Sequence, residues 1–229
     1  RQLRDLPPLA EVGHVATSRI LMADALAGYG TEVMAGSGRF LDAWDRAGRS
    51  RVPGYGPVAA AVAMIHDLRG DQVARADWLA VLDQLGVTPE DTAGYSPTFD
   101  AIALLHHGQA TLALERLESP AGDPKPWLKG ILQHWHVALR VEAAVLAGRR
   151  DASDHLAAAR PIVAGNPVAT AILDRAAALL AADRERLLIV ATAFEAAGCP
   201  YQAARTLILA GGESAATGNA ALADLGLTP

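Results

Sequence analysis

The chain has 229 residues, 51% of them hydrophobic but only 5% aromatic, so its apolar content is mostly Ala, Leu and Val. Ala and Leu are strong helix formers, and this balance predicts packed helices with almost no sheet. A formal net charge of −5 lacks the basic footprint of a surface that reads nucleic acid, and no run approaches the roughly 18 apolar residues of a membrane span.

A single cysteine excludes an internal disulfide and fits a reducing cytoplasm, the expected location. No charged start, apolar stretch and small-residue cleavage site follow one another, so no signal peptide is expected. The chain begins at Arg1 without a methionine, as a piece of a longer protein would.

Helix signals follow in succession. "LAEVGHVATSRILMADALA" (9–27) places Val12, Val15, Ile20, Leu21 and Leu26 at helical spacing. "GYGTEVMAGSG" then carries four glycines and predicts interruptions, and "RFLDAWDRAG" resumes a short helix through Leu41 and Trp44. "RSRVPGYGP" (49–57) reads as a loop that ends an N-terminal unit, residues 1–56, ahead of a helical array over 57–229.

In the array, Pro57 suits the first position of a helix reaching Leu68. Asp71 opens another, which Gly86 closes after Leu85. "VTPEDTAGYSPT" reads as a second loop, followed by short helices near 98–107 and 109–118. "ESPAGDPKP" (118–126), with three prolines and one glycine, is the expected hinge. Helices then follow near 127–147, 151–164, 167–182, 184–197, 200–210 and 213–224.

A pattern recurs in these segments. A turn glycine is followed by alanine four or five residues on, and by a large apolar residue four further. It reads Gly70, Ala74, Trp78; Gly108, Ala113, Leu117; Gly148, Ala152, Leu156; and Gly198, Ala203, Leu207. Glycine ends one helix in the left-handed conformation. Alanine allows the next helix to cross closely, and the residue one turn on fills the layer beneath. The four glycines are 38, 40 and 50 residues apart, looser than the tetratricopeptide period of about 34. The expected fold is an all-α, helical-repeat solenoid of antiparallel helix pairs, tetratricopeptide-like, with about 11 to 13 helices.

Chemical motifs are sparse. His134 and His136 flank Trp135 at i,i+2, which sets their rings about 200° apart on a helix and suits no shared metal. His106 and His107 are adjacent and diverge too. Gly28-Tyr-Gly30, Gly36-Ser-Gly38 and Gly54-Tyr-Gly56 belong to no phosphate loop. GxSxG is absent. Cys199 falls at a helix start, where the dipole would lower its pKa. No metal, no cofactor and no catalytic set is expected, so the segment reads as non-enzymatic. What remains is recognition by a concave face, for which Arg51, Tyr55, His66, His106, Trp135 and Tyr201 are the candidate anchors.

"AVAMIHDLRGDQVARADWL" (61–79), "LRVEAAVLAGRR" (139–150) and "FEAAGCPYQAARTLILAGG" (194–212) with the closing "ALADLGLTP" resemble the helical-repeat region of large actinobacterial regulators. These are the ATP-binding, LuxR-type (MalT-like) transcriptional activators. The resemblance covers residues 55–229 and is most specific in the last 45. It implies a repeat array between an ATPase module and a helix-turn-helix domain, sensing an inducer small molecule or a partner protein and coupling it to homo-oligomerisation of the full-length protein. The family's ATP-binding and DNA-reading motifs do not occur here, so none of its functional residues is carried over. Similar arrays follow the ATPase module of some cyclase-like signalling proteins, and a protein-interaction scaffold is the alternative expectation.

Overall fold

The computed structural model describes residues 7–119 and 126–229, with side-chain burial for 16–119 and 132–229. Among the described residues the chain forms thirteen α-helices and no strand. They are α1 (Pro7–Ala27), α2 (Gly30–Arg46), α3 (Gly56–Leu68), α4 (Gln72–Leu85), α5 (Pro89–Thr92), α6 (Ser96–His106), α7 (Ala110–Glu118), α8 (Pro126–Leu146), α9 (Ala152–Val163), α10 (Pro167–Leu180), α11 (Arg184–Ala196), α12 (Pro200–Ala210) and α13 (Gly212–Asp224). A 3-10 turn at Pro53–Tyr55 precedes α3. Among the described residues no helix is long and apolar enough to cross a membrane. The expected hinge falls between α7 and α8, and its residues 120–125 lie outside the described ones.

Local chemistry sets the helix ends. Asp71, Asn166 and Asp183 each accept the backbone N–H three residues on, at 3.0, 3.0 and 2.9 Å, and so cap α4, α10 and α11. The turn glycines Gly70, Gly108, Gly148 and Gly198 share φ values of 69–73°. Behind each, the next residue's N–H reaches back to a carbonyl five positions earlier, as from Cys199 to Phe194 at 2.9 Å. The turn after α10 repeats this bonding with alanine: Ala182 has φ 51°, and Asp183 bonds back to Ala178 at 2.9 Å.

Two expectations are corrected. The glycines at 36 and 38 do not interrupt a helix, because α2 runs through both. Gly36 is small because α2 crosses α1 there: a Cβ would collide with the Leu21 side chain. "VTPEDTAGYSPT" is not wholly loop either, since Thr88 and Asp91 form a reciprocal capping box that starts α5.

Successive helices pack as neighbours except for the short α5, which packs on α3, and α3 also touches α1 and α6. Every residue of α3 is buried except His66, which is half-buried. A helix apolar on all faces has to be enclosed. Part of the enclosure comes from the far end of the chain. Thr228 donates to the Leu68 carbonyl through its backbone N–H at 2.9 Å and its hydroxyl at 2.8 Å. The α1–α2 turn meets α12, with the Gly28 backbone against the Tyr201 side chain. A linear stack in which each repeat touches only its neighbours has no place for these contacts.

Ala182 pays a left-handed penalty that the glycines avoid. Ala182→Gly is expected to raise unfolding free energy by about 0.5–1 kcal/mol, and Gly198→Ala to lower it by about 1 kcal/mol. Urea denaturation of both variants checks the pair of signs. Gly218 is constrained differently, since a Cβ there would stand 2.6 Å from the Ala204 carbonyl oxygen. Gly218→Ala is expected to cost about 1–3 kcal/mol by the same measurement.

Candidate functional site

The last turn of α3 places Asp67 at the floor of an open cleft of about 440 Å³ between α4, α6 and α7. Asp67 is only 9% exposed and gathers three donors. Gln72 Nε2 donates to its Oδ1 at 2.8 Å, with His107 Nε2 at 3.2 Å, and Arg75 Nε lies 3.1 Å from Oδ2. Across the cleft, Arg116 Nε donates to Asp100 Oδ2 at 2.7 Å. Ala103, Leu104 and Gln109 complete the lining. Both arginines are anchored through Nε to a carboxylate, which leaves their outer N–H groups without an acceptor among the described residues. The arrangement offers paired donors at the rim and a partly buried acceptor at the base, a geometry that orients a small polar ligand.

A second hollow of about 490 Å³ lies along α10 and α11. Its ion pairs, Asp174 with Arg160 at 3.0 Å and with Arg186 at 3.6 Å, are solvated and contribute little.

A buried polar cluster lies elsewhere in the core. Glu142 on α8 is fully buried and bridges two guanidiniums, Arg175 Nη2 at 2.8 Å and Arg205 Nη1 at 2.6 Å. Arg175 also donates to the Gln202 carbonyl, the Gln202 side chain and the Thr206 hydroxyl, at 3.2, 2.8 and 2.9 Å. Its guanidinium lies 4.8 Å from the Phe194 ring centroid. Burial alone would raise the Glu142 carboxyl, but the charges and hydrogen bonds of Arg175 and Arg205 hold it below its ordinary value. The cluster thereby joins α8, α10 and α12.

Of the six sequence candidates, the structure brings two together. His106 and Tyr201 stack with ring centroids 5.8 Å apart. Burial, aided by His107 and Arg205, lowers His106 to about 4, so it is neutral at pH 7. Burial pushes the Tyr201 phenol up to about 12. Tyr55 is buried in a separate aromatic group, edge-on to Phe40 at 5.4 Å. Trp135 is buried in α8, and His66 is half-buried with Nδ1 3.7 Å from Asp71 Oδ2. Arg51 is exposed and lies against Gly86. None of the six lines the cleft, although His66 and His106 each adjoin a residue that does.

Cys199 is corrected as well. It does precede α12, but it is buried, and desolvation raises its thiol to about 11. The dipole of the helix start does not offset that loss of hydration.

No family model, curated protein or solved structure matches this chain. The residues themselves carry what can be said of function.

The residues missing from the sequence candidates left one trace. Glu142, Arg175 and Arg205 each interrupt an apolar stripe: Arg175 follows Ile172 by three positions, and Glu142 follows Ala138 by four. A charge in a core register has to find its partner inside.

Glu142→Gln is expected to cost about 3–5 kcal/mol in urea denaturation, because it leaves two buried guanidiniums without their shared carboxylate. The pH profile tests His106. Its folded pKa lies below the unfolded value, so its contribution is present above about pH 6.5 and is lost as pH falls toward 4. Stability is expected to fall between pH 6.5 and 4.5, and His106→Gln to flatten that limb.

Proposed function

We propose that this chain is a ligand- or partner-sensing helical-repeat regulatory domain, non-catalytic in itself, of a multidomain LuxR-type transcriptional activator. The likeness of residues 61–79, 139–150 and 194–212 to that family's repeat region supports this reading. So do the four left-handed turn glycines at equivalent places between neighbouring helices. The observation that carries the sensing role is the Asp67 cleft, where polar groups from α3, α4, α6 and α7 converge on one volume. Its ligand is a small polar molecule that takes donors from Arg75 and Arg116 and reaches Asp67 or His107. Sensing then means that the ligand favours one arrangement of these four helices over another.

A second reading, a protein-interaction scaffold, draws on α11, where Ile189 is 70% exposed beside a partly exposed Leu188.

A thermal-shift screen of small metabolites separates the two. A ligand at 100 times its Kd is expected to add about 2.7 kcal/mol. That gain should vanish in Arg75→Ala and Arg116→Ala. Stabilisation that survives both changes places the ligand elsewhere. A blank screen, with capture of a partner lost in Ile189→Asp, favours the scaffold.

A further inference from the structure

The buried cluster does not balance its charge. Glu142 supplies one negative charge, while Arg175 and Arg205 supply two positive ones, and no other carboxylate among the described residues pairs with either arginine. Surplus charge in a protein interior is costly unless something neutralises it.

The surplus can be located. Arg175 uses both terminal nitrogens on Glu142, Gln202 and Thr206, and it is fully buried against Phe194, so its remaining Nε, though without a partner among the described residues, is closed off from solvent. Arg205 differs: among the described residues it donates only to Glu142, through Nη1, and its side chain is 7% exposed, so its remaining N–H groups approach the surface. Tyr201 stands one turn earlier on the same face of α12. Its hydroxyl is buried without a hydrogen-bond partner among the described residues. The His106 ring packs against Tyr201 from α6, and its Nε2 is likewise buried and unpartnered among them. Surplus charge, an unused guanidinium edge and an unused hydroxyl thus fall at one junction, where α6 and α12 meet.

We propose that Arg205 and Tyr201, walled by His106, bind a small monoanion of the carboxylate class. The guanidinium edge and the phenol O–H both donate to it. A single negative charge balances the cluster, whereas a phosphate dianion overshoots. The site is separate from the Asp67 cleft, and it stands whether or not the cleft senses a ligand. Its occupancy ties α12 to α6 and, through the Gly28 backbone against Tyr201, to the α1–α2 turn.

The test uses the full chain in sodium HEPES, whose bulky sulfonate keeps small anions scarce. Sodium acetate is titrated against added sodium HEPES at equal ionic strength, with melting temperature as the readout. A saturable rise with acetate, absent from the control, is expected in the wild type. Arg205→Gln leaves Glu142 balanced by Arg175 and is expected to abolish the rise. Tyr201→Phe is expected to weaken acetate binding about tenfold while leaving anion-free melting unchanged or higher. Arg75→Ala is expected to keep the full response, which separates this site from the cleft. An acetate response no larger than the control overturns the proposal. So does a response of undiminished affinity in Tyr201→Phe, the variant that decides the matter if Arg205→Gln does not fold.

Discussion

Enclosure of α3 is the constraint on which the other packing depends. Its thirteen residues are almost all Ala, Val and other apolar types, and only His66 reaches partial exposure. One antiparallel neighbour covers one face of a helix. Here α1, α4 and α6 supply further faces, and Thr228 supplies the cap for the Leu68 carbonyl. That carbonyl belongs to the last turn, where a helix has no partners of its own to offer. The candidate cleft follows from the same constraint. Asp67 sits in that turn, and it is held in place because the residues on either side of it are.

The Glu142 cluster works differently. An apolar trio of similar volume would pack α8, α10 and α12 at least as tightly. What charges add is orientation. Arg175 accepts one geometry in which Gln202, Thr206 and Glu142 are all satisfied, so α12 is set in register against α8 and α10. The apolar surfaces of these helices, rich in Ala and Leu, tolerate sliding far better than that bonding pattern does. The hydrophobic layers hold the helices together, and the ion cluster selects their alignment.

Much of the helical layout was legible in the sequence because its signals are local. Asp71 and Gly86 bracket α4, Asn166-Pro167 opens α10, and Gly198 separates α11 from α12, each by its own backbone preference. The glycine at 36 misled for the opposite reason. Its role comes from Leu21 on another helix, and nothing adjacent to it reports that contact. Periodicity shows which face of a helix is buried but not what buries it, so the return of Thr228 to Leu68 left no trace. Of the site, His106 and Tyr201 stood out as an aromatic and a titratable group in an alanine-rich chain. The cleft residues Asp67, Arg75 and Arg116 look like ordinary solvated charges until α4, α6 and α7 are brought together.

The bond from Thr228 to Leu68 spans 160 residues. Contacts of that reach form late in folding, because the entropy of closing so long a loop has to be met before they contribute anything. Helix pairs joined by tight glycine turns need no such closure. Assembly therefore has a natural order, with local hairpins first and the joining of the two ends last. Contacts made last contribute little to the folding barrier, so a change at the junction of α1, α12 and the C-terminal residues is expected to speed unfolding more than it slows folding.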